Sequence, residues 1–198
     1  MPINSPQFVE RHIIGPDTEI LGGMFLGRGA IVVDFEENPE RYESTYEALD
    51  AVLPEASEEP LVIAQTINEV VREVIPLDRV ATRAVLKSEA EARGLPRIGS
   101  QDEIRLSKFI GVGGICHHQT LLGGTMLRLL QDRRGIGGTV SVEPGQLYKD
   151  VFDRHVWLRY THGDRRIIID TGDNHVTQIE GPVSSQDMKY LKQEEKED

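Results

Sequence analysis

Gly111-Val112-Gly113-Gly114-Ile115-Cys116-His117-His118-Gln119-Thr120-Leu121-Leu122 is the stretch that decides the fold. A glycine-rich turn gives way at Cys116 to a helical pattern. Leu122, Met126, Leu129 and Leu130 recur at helical spacing and make an inward stripe. Arg133-Arg134-Gly135 then supplies basic residues for the last turn and a glycine for the C-terminal cap. The spacing predicts a helix over 116–134. Gly123-Gly124 inside it costs about 1 kcal/mol per glycine relative to alanine, so another element is expected to approach closely there. Cys116 is the only cysteine of the chain, and it stands at the start of this helix.

Downstream of the helix the pattern is strand-like: Thr139 to Val142, Val151 to Tyr160, and Arg165 to Asp170. If His162-Gly163 centres a hairpin, opposed residues share a constant index sum, and His155 faces Asp170. Directly opposed side chains lie about 5 Å apart at Cβ on one face. That spacing suits a carboxylate that orients an imidazole. Trp157 shares the face and shields the pair from water.

A thiol attacks carbonyl carbon only as thiolate, and its ordinary pKa is about 8.5. A helix N-terminus lowers that value and offers unpaired N–H groups to an oxyanion. Cys116, His155 and Asp170 therefore form a candidate nucleophile, base and orienting group. A lone cysteine is more often a small core residue than a nucleophile. The order cysteine, helix, histidine strand, hairpin, aspartate, in consistent register, tips the balance towards catalysis. His117 and His118 beside Cys116 invite a metal reading, but successive helical residues diverge by about 100° and do not converge on one ion, which leaves only a site pairing one of them with His155 as a less favoured alternative. No metal and no organic cofactor is expected. His118 is expected to pack or hydrogen-bond behind the nucleophile, and Gly114 and His117 are further support candidates. His12, His162 and His175 read as loop or surface residues.

Upstream, residues 1–18 read as irregular. Met24-Phe25-Leu26 and Ala30-Ile31-Val32-Val33 suggest a hairpin or two short strands. Three helices follow. Pro39 opens one that carries Tyr42, Tyr46, Leu49 and Leu53. Pro60 opens a second with the stripe Ile63, Ile67, Val70, Val71 and Val74. The third runs from Arg79 to Arg93 and is closed by Gly94. Residues 96–110 read as a loop with a short turn. The expected organisation is an N-terminal strand and helical part over 1–95, a catalytic core over 96–183 and a charged, fraying tail over 184–198.

The chain has 198 residues, is 38% hydrophobic and 28% charged, and carries a formal net charge of −11. Those values fit a soluble globular protein and argue against nucleic acid as a partner, because phosphates need compensating lysine and arginine. No apolar run reaches the roughly 20 residues of a membrane helix, and the first residues lack the pattern of a signal peptide. A cytoplasmic location is the default reading, although an effector exported without a cleaved signal has the same appearance. A single cysteine excludes an internal disulfide framework.

Gly113-Gly114-Ile115-Cys116-His117-His118-Gln119-Thr120-Leu121-Leu122, with Leu129-Leu130-Gln131-Asp132-Arg133-Arg134-Gly135-Ile136, resembles the nucleophile helix of the transglutaminase-like superfamily of papain-related cysteine enzymes. His155-Val156-Trp157-Leu158 resembles that family's histidine strand, and Ile168-Ile169-Asp170 its aspartate strand. The resemblance covers about residues 96–172. It is nearest to the transglutaminase-like domain of plant disease-resistance-type kinases, and similar to peptidases that mature lasso peptides. It implies an α+β fold in which the nucleophile helix packs on an antiparallel sheet, and a Cys116–His155–Asp170 triad. The implied chemistry acts on amides of a protein or peptide: hydrolysis, deamidation, or acyl transfer to an amine. Family members often add an upstream Trp or Gln as oxyanion donor, and Gln101 is the candidate by position. Arylamine acetyltransferases share the Cys, His, Asp order with a poorer local match. The rival classes are a catalytically silent binding module of the same fold, and a structural protein whose thiol has no role. The oligomeric state is left open.

Overall fold

The computed structural model describes residues 12–13, 19–21, 30–54, 59–98, 102–146 and 154–179. Its architecture is α+β. Strands β1 (His12–Ile13), β2 (Glu19–Leu21) and β3 (Ala30–Val32) precede helices α1 (Pro39–Val52), α2 (Pro60–Val74) and α3 (Arg79–Ala92). Then come β4 (Glu103–Arg105), a short 3-10 turn (Leu106–Lys108), α4 (Cys116–Arg134), β5 (Thr139–Gln146), β6 (Arg154–His162), β7 (Arg165–Asp170) and β8 (His175–Ile179).

The last four strands form an antiparallel meander, and β1 joins its β5 edge, giving the order β1-β5-β6-β7-β8. A small second sheet pairs β3 with β2 antiparallel and with β4 parallel. β6 alternates: Val156, Leu158 and Tyr160 enter the main apolar core, while His155, Trp157 and Arg159 point to the other face. In β7, Ile167, Ile168 and Ile169 are all fully buried, so here the sheet is withdrawn from water on both faces. On the second face the buried Arg159 guanidinium is matched by Glu143, with Nε donating to Oε2 at 2.9 Å, as a charge in that position requires.

α4 lies over β5 and β6, α2 lies beside it over β7 and β8, and α1 bridges both helices. From His117 to Leu127 every residue of α4 is buried, including Leu121 and Leu127, which the inward stripe had not contained. Leu129, expected inside, is only partly buried. A Cβ on Gly123 would stand 3.0 Å from Leu158 Cδ1 and 3.5 Å from Ile67 Cγ2. This is the close approach that the glycine pair implied: β6 and α2 both press on α4 where it has no side chain. Pro39 and Pro60 open α1 and α2, and Asp78 caps α3 by accepting from Val80 and Ala81 N–H at 2.8 and 2.9 Å. Gly135 ends α4 with φ of 68°, the left-handed cap that glycine adopts at little cost.

Several expectations need correction. His12 lies in β1, within a stretch read as irregular, and pairs with Val142 of β5. The partner of β3 is Glu19–Leu21; residues 24–26, expected to be a strand, lie outside the described residues. Within the loop expected over 96–110, Glu103–Arg105 forms a strand. His175 opens β8, opposite Asp170, and His162 closes β6; neither is a loop residue. The tail over 184–198 lies outside the described residues.

Candidate active site

Cys116 is placed by what surrounds the turn before it. The chain between α2 and α3 runs alongside residues 111–114. Gly111 N–H donates to Val74 O, Gly114 N–H to Pro76 O and Asp78 N–H to Gly114 O, each at 2.9 Å. Gly114 thus spends its N–H on this pairing and has none to offer an oxyanion. Its supporting role is steric: a Cβ there would sit 2.7 Å from Ile75 Cγ2 and 2.9 Å from His118 Cβ. One turn along α4, Gln119 Nε2 donates to Ile75 O at 2.8 Å and Thr120 Oγ1 to Val156 O at 3.1 Å. These bonds tie the start of α4 to the end of α2 and to β6 next to His155.

His118 caps the helix. Ile115 N–H donates to its Nδ1 at 3.0 Å, and its ring stacks on Phe109 with centroids 3.7 Å apart. Burial, helped by the neighbouring His117, drives its pKa down to about 3. The ring is therefore neutral and acts as an acceptor.

His155 and Asp170 do meet, but in a register different from the expected one. β6 and β7 pair Leu158 with Ile169 and His162 with Arg165, so the turn is centred on Gly163-Asp164 and Trp157, not His155, stands across from Asp170. The slip is two residues, an even number, so both side chains stay on one face. Diagonal neighbours on a face remain within reach of long side chains, and His155 Nε2 donates to Asp170 Oδ1 at 2.6 Å. Asp170 is fully buried, and its Oδ1 also accepts from Asp173 N–H at 3.1 Å. Trp157 is buried, with its ring centroid 6.1 Å from that of His155.

Gly172 shows how closely the three residues converge. A Cβ built on it would lie 2.9 Å from Cys116 Cβ, 2.9 Å from His155 Cε1 and 3.5 Å from Asp170 Oδ1. With Nε2 committed to Asp170, the thiol is left the Nδ1 nitrogen of His155. Burial alone would push the Cys116 thiol up. Hydrogen bonds and charge from His117 and His155 outweigh it and bring the pKa down to about 6. Burial lowers His155, but Asp170 and the thiolate outweigh that and raise it to about 10. Between those values the site holds a thiolate and an imidazolium.

α4 leaves N–H groups at its start for an incoming oxygen. His118 and Gln119 N–H both donate to Ile115 O, at 2.9 and 3.2 Å. Among the described residues no backbone acceptor takes the N–H of Cys116 or His117. Gln101, the expected side-chain donor, lies outside the described residues.

Two features were not legible in the sequence. Arg72 of α2 donates from NH1 to Thr171 O, and Asn68 Nδ2 to Asn174 Oδ1 at 2.9 Å, so α2 clamps the turn that carries Gly172. The turn composition Thr171-Gly172-Asp173-Asn174 was the available signal. In addition, His117 Nδ1 stands 3.5 Å from Cys116 Sγ.

His155, Asp170 and Asp173 offer ligand-type atoms within 4.8 Å of one another. Nε2 and Oδ1 at 2.6 Å are nearer than the roughly 3.3 Å between two ligands of a tetrahedral zinc ion; this is the spacing of a shared proton. A cavity of about 340 Å³ opens elsewhere, between α1, the end of α2 and Gly111, and no triad residue lines it. No helix among the described residues is long and apolar enough to cross a membrane. No family model, curated protein or solved structure matches the chain.

Proposed function

We propose that the chain is a cysteine-dependent amide hydrolase with a papain- or transglutaminase-like core, acting on a protein or peptide. The observation that carries this reading is the convergence around Gly172, where Cys116 and His155 share one contact point and Asp170 holds the far side of the imidazole. The order of residues along the chain supports it independently.

In this mechanism His155 takes the Cys116 proton on Nδ1, and Asp170 stabilises the imidazolium. The thiolate attacks the amide carbon. The N–H groups of Cys116 and His117 receive the oxyanion. His155 returns its proton to the leaving nitrogen, and the amine departs to leave a thioester. Water, deprotonated by the now neutral His155, cleaves the thioester and restores the thiolate. Trp157 keeps bulk water from the His155–Asp170 pair.

Cys116→Ala is expected to abolish amide turnover and labelling by iodoacetamide while the thermal unfolding midpoint stays near that of the parent. Unchanged turnover in that variant overturns the reading.

A further inference from the structure

His117 is nearly buried, 4% exposed, and the mechanism above gives its side chain no task. Its ring turns back along the helix and places Nδ1 3.5 Å from Cys116 Sγ. His155 comes to the same cysteine from β6: its Cε1 and Cys116 Cβ each lie 2.9 Å from a Cβ built on Gly172. Two imidazoles, from different elements, thus converge on Cys116.

Their surroundings differ. His155 has Asp170 behind it, at 2.6 Å. Among the described residues no carboxylate hydrogen-bonds to His117. The other titratable and charged groups on the elements that meet here are Asp173, in the turn after β7, whose N–H donates to Asp170, Arg72 of α2, which is engaged with Thr171 O, and His118 on α4 itself, held neutral as an acceptor. An imidazole protonated on Nδ1 is a donor at that nitrogen and not a base there.

We propose that Cys116 works between two imidazoles: His117 is a further catalytic residue whose Nδ1–H donates to the thiolate, while His155 alone carries the proton that moves. This deepens the hydrolase reading and rests on Cys116 being its nucleophile. The proton account closes with His117 keeping its Nδ1–H throughout. The thiol proton goes to His155. Bonding of sulfur to the amide carbon draws charge off the sulfur and weakens the His117 contact. When water breaks the C–S bond, the electron pair returns to sulfur and the contact re-forms. His117 therefore favours the free thiolate and makes sulfur a better leaving group during thioester hydrolysis.

The test is the pH dependence of iodoacetamide alkylation, which needs no amide substrate. Two replacements separate shape from donation: His117→Phe keeps a flat ring without a donor, and His117→Asn keeps a donor near the Nδ1 position without the ring. Expected are about tenfold slower alkylation at pH 6 in His117→Phe, substantial recovery in His117→Asn, and a midpoint in His155→Ala still below that of ordinary cysteine, about 8.5. Combining His155→Ala with His117→Phe then gives the ordinary midpoint. A parental profile in His117→Phe overturns the proposal, as does an ordinary midpoint in His155→Ala alone. Circular dichroism melts establish that each variant is folded. Failure of every amide substrate would count against the hydrolase reading and leave these profiles to judge His117.

Discussion

Two buried carboxylates sit in different parts of this molecule and do opposite things. Asp34 follows β3 and is surrounded by neutral donors. Its Oδ1 accepts from Tyr42 OH at 2.6 Å and Ser107 N–H at 3.1 Å, and its Oδ2 from Ser107 Oγ at 2.5 Å and Asn38 Nδ2 at 2.6 Å. Burial would raise its pKa, but these bonds outweigh it and hold the carboxyl below the usual value. None of the donors changes charge near neutral pH, so the group is a staple joining β3, α1 and the 3-10 turn. Asp170 is buried as deeply but is aimed at an imidazole whose ring converges with Cys116 on Gly172. What separates Asp170 from Asp34 is not depth of burial but a titrating partner within hydrogen-bond reach.

The sharpest way to break this comparison is to remove each carboxylate. Asp170→Ala is expected to lower turnover by about 10³- to 10⁴-fold, as loss of an orienting carboxylate does in other triads. Asp34→Ala is expected to leave turnover per folded molecule intact and to lower the unfolding free energy by about 3 kcal/mol, because buried donors lose their acceptor. Urea titrations read beside initial rates distinguish the two, and matching effects in both assays would collapse the distinction.

Two glycines extend the contrast with smaller effects. In Gly172→Ala the new methyl lies 2.9 Å from both Cys116 Cβ and His155 Cε1, and a shift of that size at reacting groups costs about 10²-fold in rate. In Gly123→Val the added atoms meet Leu158 and Ile67. The expected loss is about 2 kcal/mol of stability, with turnover per folded molecule unchanged.

The sequence made α1, α2, α3 and α4 legible because proline starts, apolar stripes and glycine ends all agreed. The grouping of Cys116, His155 and Asp170 was legible as an order of residues, since these are residue types whose chemistry is specific. Register was not, because it depends on which two residues form the turn. Gly163, with φ of 60°, occupies the first central position, where a two-residue hairpin turn with a single left-handed residue wants glycine. That shifts the centre to Gly163-Asp164. β1, at two residues, is too short to leave a pattern. β8 was missed because Asn174 turns the chain with φ of 53° only four residues after β7. The contacts of His117 with the thiol and of Arg72 with Thr171 depend on side-chain paths in space, which no spacing rule encodes.

The central claim, that Cys116 is held as a thiolate beside a protonated His155, is tested most directly by the rate of iodoacetamide alkylation of the unmodified protein against pH. The thiol is lowered to about 6 and His155 raised to about 10. Reactivity should therefore rise through pH 6 as the thiol loses its proton and hold a plateau until His155 loses its own near pH 10. A single rise centred near about 8.5, the value of an ordinary cysteine, would contradict it.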